Sequence, residues 1–291
     1  MASTTNVSPL TARRRLGAEL RRLRDQLGMT TEEVGAYLDC HNSTVSRFEN
    51  AKRACTKRDF ERLMELYGVK GPQLSELTTL MVRARQRVAP WWHAYSDVIS
   101  ANYSEFLAYE AEATRCFEHQ TLLIPGLLQT KDYAQAVTTE SSFAALGPDQ
   151  VESLVEVRLR RQQRLFEQDA LRLQVVITEA AVRLRVGGSQ VMKAQLKHLV
   201  ETSGLDNVSL RIVPFAAGAK GVCTGAFTLF TTGKEENADV AFTESADYTT
   251  AFRDEGITLQ RLNRRFRSLS AAALSEQESR NLIADIQKEL V

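Results

Sequence analysis

Through the first 87 residues apolar side chains recur every three or four positions, and after about residue 170 they begin to alternate. The first rhythm buries one stripe of a helix and the second buries one face of a strand. The chain must therefore hold a purely helical part followed by a part that contains a sheet.

Leu16, Leu20, Leu23 and Leu27 form the first stripe, with arginines on the other faces and Gly28 as the stop. Thr30 stands three residues before Glu33, the spacing of a capping box, and opens a second helix with Val34 and Leu38 inward. Gly35 leaves room there for a close helix crossing. After the break "DCHN", residues 42–50 make a third helix with Val45 and Phe48 inward. Phe60, Leu63, Met64 and Tyr67 stripe a fourth, closed by Gly68, and Pro72 sits in the first turn of a fifth. Five short helices joined by a few residues predict an all-α domain over 13–87, preceded by a flexible tail over 1–12 and bounded near Pro90.

The third helix is odd. "HNSTVSRFENAKR" surrounds its two apolar residues with Asn42, Ser43, Thr44 and Ser46, which compete with a helix for its own backbone. Such residues make sense where the helix touches something outside the protein. Two helices joined by a tight turn, the second small and polar at its exposed start, describe a helix-turn-helix. Charge agrees: residues 1–87 hold 16 Lys/Arg against 10 Asp/Glu, while the remainder holds 21 against 26. The basic part calls for an anionic partner, and the acidic part for another task.

"LGMTTEEVGAYLDCHNSTVSRFENAKR" resembles the phage-repressor-type (Cro/C1, or xenobiotic-response-element) helix-turn-helix, over roughly residues 15–70. It departs from that pattern at Gly35, where Ala is usual, and at Asp39 and Ala51, where Gly is usual. The resemblance implies a sequence-specific regulator that lays helix 42–50 in the major groove of double-stranded DNA. By position, Asn42, Ser43 and Arg47 face the bases. His41, Thr31 and Thr44 lie nearest the phosphates, and Ser46 and Arg53 complete the DNA-contacting set. Asn42 has the donor–acceptor pair that reads adenine, and Arg47 the fork that reads guanine. The resemblance also pairs Glu49 with Arg24 of the first helix inside the domain.

Past Pro90, "WWHAYSDVISANYSEFLAYEAEATRCFEHQ" reads as helical, with Trp91, Trp92, Tyr95, Tyr103, Phe106 and Tyr109 clustered as core or as an exposed aromatic platform. A Pro-Gly turn and a helix follow. Then comes a charged helix striped by Val151, Val155, Leu159 and Phe166. "LRLQVVITEAA" and "NVSLRIVPF" read as strands around a helix, "VGGSQ" being a strand-to-helix turn. "GAFTLFTTGKEENADVAFTES" reads as two strands about a polar turn, and two helices close the chain, the last capped by Ser275 with Glu278. Residues 90–291 are thus expected to form an α+β regulatory and dimerisation domain with a small, mainly antiparallel sheet.

Apolar residues make up 43% of the chain, enough for real cores, and no run is long enough to span a membrane. With no secretory signal, the protein is expected in the cytoplasm, associated with the nucleoid. Cys40, Cys55, Cys116 and Cys223 are widely spaced without C-x-x-C, which argues against a zinc site or a disulfide framework. Glu179, Arg183, His198 and Glu244 could in principle do acid–base work. No nucleophile elbow, phosphate loop or metal-ligand spacing accompanies them, so no enzyme and no cofactor is expected.

The motifs "PWWHAY", "YEAEA", "PGLLQT", "VEVRLRRQQRL", "LRIVPF" and "GAFTLF", in that order, resemble the domain of unknown function that follows the helix-turn-helix in many actinobacterial regulators. That resemblance implies a transcriptional regulator, often with a small partner protein encoded nearby, and no catalytic activity. A homodimer is expected, since one small helix-turn-helix contacts few base pairs. Two alternatives remain: a ligand-sensing regulator with a pocket in the C-terminal domain, and a protein-binding scaffold without DNA binding.

Overall fold

The computed structural model describes residues 9–86, 89–141, 146–232, 240–245 and 250–290. The chain divides into two compact units between Trp91 and Trp92.

The first unit contains five helices: α1 (Pro9–Gln26), α2 (Thr31–Tyr37), α3 (Asn42–Glu49), α4 (Lys57–Leu66) and α5 (Gly71–Ala84). α1 packs along α5 and against α3. Leu16, Leu20, Val34, Leu38, Val45, Phe48, Phe60, Leu63 and Leu77 meet in one core. The apolar stripes of α1 to α4 converge there, which is what makes such short helices stable; none of them would persist alone.

The helices stop in a shared manner. At Gly28 (φ 66°) the amide of Met29 bonds back to the Arg24 carbonyl and that of Gly28 to the Asp25 carbonyl, at 3.1 and 3.0 Å. This is a Schellman turn. Gly68 repeats it, with Val69 bonding to Met64 at 3.0 Å. So does Asp39 (φ 57°), with Cys40 bonding to Gly35 at 2.9 Å. Ala51 also takes the left-handed conformation (φ 56°), so the alanine itself, and not a rearranged turn, stands in for glycine after Asn50.

Two expectations fail in this unit. The tail expected over 1–12 is helical from Pro9, with Thr11 and Ala12 buried; residues 1–8 lie outside the described residues. Leu27 is 53% exposed because α1 ends before it. The Schellman turn sends Met29, not Leu27, against the core.

The second unit opens with a 3-10 turn (Trp91–Tyr95), then α6 (Ala101–Glu112), β1 (Arg115–Gln120), α7 (Lys131–Ser141) and α8 (Pro148–Arg161). β2 (Arg172–Thr178), α9 (Glu179–Arg183), α10 (Gly188–Thr202) and β3 (Val208–Val213) follow. β4 (Phe227–Thr231), β5 (Val240–Glu244), β6 (Thr250–Arg253), α11 (Gly256–Ala272) and α12 (Glu276–Glu289) complete it. The strands form one mixed sheet in the order β3-β2-β1-β4-β5-β6. β1–β2 and β2–β3 are parallel; β1–β4, β4–β5 and β5–β6 are antiparallel. An all-α helix-turn-helix part followed by an α+β part is thus the architecture.

One sheet face carries Val176, Phe227, Leu229 and Ala241 against Phe266 and Leu269 of α11. The opposite face carries Phe230 and Phe242, whose rings meet Phe106 of α6 edge-on at 5.2 Å each. The outer strand β3 is covered: the Ile212 amide donates to Ser279 Oγ at 3.0 Å and its carbonyl accepts from Leu274 at 2.9 Å.

Several sequence expectations need correction here. β1 lies inside the stretch expected to be helical throughout, and β6 was not expected. "RCFEHQ" offers no apolar alternation, because one face of this central strand is polar. Trp92, Phe106 and Tyr109 are buried, so they build core and not an exposed platform. Phe166 is 68% exposed, because α8 ends at Arg161 and a 3-10 turn (Gln162–Leu165) changes the phase of the stripe. "VGGSQ" joins α9 to α10, not a strand to a helix, and Gly187 (φ 69°) makes that turn. The polar turn expected between β4 and β5 lies outside the described residues. Among the described residues, no helix is long and apolar enough to cross a membrane.

Candidate nucleic-acid interface

α2, its left-handed stop and α3 form the helix-turn-helix. Thr30 caps α2: its hydroxyl accepts from the Glu33 amide, and Glu33 reaches back to the Thr30 amide at 2.8 Å. Two close approaches set the position of α3. A Cβ on Gly35 would lie 2.8 Å from the Cys40 carbonyl oxygen and 3.2 Å from the Asn42 nitrogen. A Cβ on Gly17 of α1 would lie 2.5 Å from the Glu49 carbonyl oxygen. Arg62 of α4 holds the turn between α2 and α3, donating to Asp39 Oδ2 at 2.9 Å and to the Tyr37 carbonyl.

Arg24 and Glu49 meet side on. Arg24 Nε and Nη2 donate to Glu49 Oε1 and Oε2 at 2.7 and 2.9 Å, and Nη1 donates to the Met29 carbonyl at 2.9 Å. Donating to the Glu49 carboxylate raises the Arg24 pKa further, so the guanidinium stays charged. The pair ties α1 to the far end of α3.

His41 is the N-cap of α3: its Nδ1 accepts from the Ser43 amide at 3.2 Å and lies 2.9 Å from Ser43 Oγ. Ser43 is exposed beside it, while Thr44 is half-buried. Thr31 begins α2, and its hydroxyl donates to Glu32 Oε2 at 3.2 Å. Ser46 is half-buried and holds the end of the helix, since Asn50 Nδ2 donates to its carbonyl at 2.8 Å and to its Oγ at 3.2 Å. Arg47 is exposed and has no ion pair among the described residues. Arg53 is exposed too, with its guanidinium 6.0 Å from the centroid of the Phe48 ring. The structure therefore brings Asn42, Ser43 and Arg47 onto one short helix, with Thr31 on the helix before it. His41 and Ser46 serve the ends of α3.

Sequence reasoning missed Glu32. This exposed carboxylate accepts from Asn42 Nδ2, and that hydrogen bond depresses its pKa. The two residues are ten apart across a turn, so no helical spacing announces the contact. Cys55 lies in the core of this unit, where burial pushes its thiol up to about 12 and leaves it a poor nucleophile.

The residues weighed for catalysis are engaged separately. Glu179 accepts from Arg183 Nε at 2.7 Å and from the Phe215 amide at 2.8 Å. His198 lies 3.3 Å from Thr202 Oγ1, and burial lowers its pKa. Glu244 accepts from Gln120 Nε2 at 3.1 Å.

Two family models match the chain. One, described as a helix-turn-helix domain (HTH_31), covers residues 15–77, and the other, described as a domain of unknown function (DUF5753), covers residues 103–285. No curated protein and no solved structure matches it. The helix-turn-helix match suggests DNA binding and a regulatory role.

Proposed function

We propose, from the premise that the chain belongs to the DUF5753 family and bears a helix-turn-helix domain, that it is a sequence-specific transcriptional regulator. The carrying observation is α3, a helix whose outer face offers Asn42, Ser43 and Arg47 while its inner face is fixed by Val45, Phe48 and the Arg24–Glu49 pair. Small side chains let the helix backbone lie deep in the groove, and the amide and guanidinium reach base edges. Thr31, the His41 cap and Thr44 lie toward the phosphates, with Arg53 as a further cation. In this reading the domain is of the Cro/C1 type and the protein acts in an actinobacterial cytoplasm, not as an enzyme.

The protein binds as a homodimer through its C-terminal unit, with half-sites about 34 Å apart. The small N-terminal unit is taken up by the DNA contact, so the larger second unit is the natural place for dimerisation. A small partner protein encoded nearby fits the same acidic unit. Mapping the bound fragments of genomic DNA with purified protein tests the main reading: an enriched near-palindrome supports it, and no enriched site overturns it. Light scattering tests the dimer.

A second reading, signal input by a small molecule, is favoured by the charged interior of the C-terminal unit. Buried arginines and carboxylates cost stability, and such groups cluster where a fold does chemistry or binds.

A further inference from the structure

A groove of about 580 Å³ lies between α4 and α5 in the N-terminal unit. α5 packs along α1 far more closely than against α4, and the groove is the space this leaves. Phe60 and Met64 of α4, Val69 of the turn, and Leu74 and Met81 of α5 line it with apolar surface. Its volume falls within the roughly 300–1,000 Å³ of small-molecule sites. Met64 and Met81 are unbranched and polarisable, so they reshape readily around a flexible apolar guest.

The rim is charged. Lys57 is turned toward Glu61, one turn on along α4, at 3.8 Å, and Glu65 follows a turn later. Lys70, at the start of α5, is exposed and has no ion pair among the described residues. The unit around it is basic, with 16 Lys/Arg against 10 Asp/Glu over residues 1–87. That field draws an anionic head group to the mouth of the groove and repels a cationic one.

We propose that this groove binds a small amphiphile with a flexible apolar chain and a carboxylate head, a medium-chain fatty acid being the simplest of its class. The chain lies over Met64 and Met81, and the carboxylate sits beside Lys70. The floor of the groove belongs to the core that holds α3: Phe60 and Met64 share one cluster with Val45 and Phe48. Arg62, between them on α4, holds the turn before α3. A guest between α4 and α5 therefore bears on α3 through α4. The binding does not rest on the regulator reading; only its effect on DNA does.

NMR of the full chain labelled at its methionine methyl groups, with decanoate added below its micelle concentration, tests the site. The Met64 and Met81 resonances, assigned with Met64→Leu and Met81→Leu, are expected to shift together and saturate. Met192, buried in the second unit, is expected to stay in place. From hexanoate to decanoate, binding is expected to tighten about fourfold for each added methylene. Decanol should bind more weakly than decanoate, and decyltrimethylammonium more weakly still. Lys70→Glu, at an exposed position, is expected to keep the fold, weaken decanoate several-fold and leave decanol unchanged. Unmoved Met64 and Met81, or a Met192 that shifts with them, overturns the site. Equal binding of all three head groups, or a Lys70→Glu variant that binds decanoate as the parent does, overturns the anionic head. Resonances of Met64 and Met81 that move on diluting the ligand-free protein would show a second copy in the groove and overturn the proposal. DNA titrations in saturating decanoate separate binding from its effect. A changed affinity supports the link to α3, and an unchanged one with both methyls shifted removes that link and leaves the site standing.

Discussion

Arg24 and Glu49, twenty-five residues apart, are joined by two parallel hydrogen bonds that fasten the first helix of the N-terminal unit to the end of α3. Their side chains are 11% and 5% exposed, so neither charge is well solvated without the other. Glu49→Ala or Arg24→Ala is expected to destabilise the unit by about 3–5 kcal/mol, because each leaves a nearly buried partner uncompensated. The double variant should lose less than the sum, with a coupling of about 0.5–3 kcal/mol. Urea unfolding followed by circular dichroism measures all four states. Additive losses would show that the pair contributes nothing as a pair.

Gly17→Ala gives a test in which two physical effects have opposite signs. Helix propensity alone favours alanine by about 1 kcal/mol. The new methyl carbon, however, would lie 2.5 Å from the Glu49 carbonyl oxygen and 2.6 Å from that of Phe48, both backbone atoms. Pushing α1 from α3 should cost about 1–3 kcal/mol. The variant is therefore expected to melt below the parent protein, and a higher melting temperature would contradict the close approach.

On DNA, Asn42→Ala and Arg47→Ala are each expected to lower discrimination between the native site and a mutated one by about 1–3 kcal/mol, with helix content unchanged. Unchanged selectivity in both variants would remove these residues from base recognition.

Glu32→Gln should act in the reverse direction. The carboxylate engages the Asn42 amide and places a negative charge beside the interface. Neutralising it frees Asn42 and removes repulsion from the phosphates, so affinity should rise several-fold, more at low salt than at high salt. Fluorescence anisotropy titrations at two salt concentrations decide it; weaker binding would mean that Glu32 positions Asn42 productively.

Glu118 gives a pH signature in the second unit. Its folded pKa of about 7 lies above the ordinary 4.5, so between those values the folded chain retains a proton that the unfolded chain has released. Stability must then fall as pH rises through this window, and it is fully retained only below it. Glu118→Gln fixes the neutral form. It is expected to flatten the fall and to be more stable than the parent at about pH 8, by about 2–4 kcal/mol. Melting curves across the pH range check the sign.

How much of this was legible depended on whether the signal was local. The capping box of Thr30 and Glu33, the stripes of α1 to α4 and the polar face of α3 are written at helical spacing, and they were read directly. Leu27 was misread because a Schellman turn, not the stripe, decides which side chain closes the helix. β1 was invisible because Glu118 and Gln120 interrupt the alternation a strand normally shows; their partners, Glu244 and the neighbourhood of Arg161, lie far along the chain. The Glu32–Asn42 and Arg158–Gln129 contacts share that cause. Each is made by residues that meet only after the fold has formed.

The strand order has a consequence for the newly made chain. The N-terminal unit is a bundle of helices complete by Ala84, and helical domains of this kind assemble in microseconds to milliseconds. β1 sits between β2 and β4, pairing Cys116 with Leu173 on one side and Phe230 on the other. The central strand therefore waits for more than a hundred further residues before its second neighbour exists. At a synthesis rate of about 5–20 residues per second, the helix-turn-helix is folded seconds before the sheet closes. During translation, the helix-turn-helix is therefore complete while the second unit still lacks strands of its sheet.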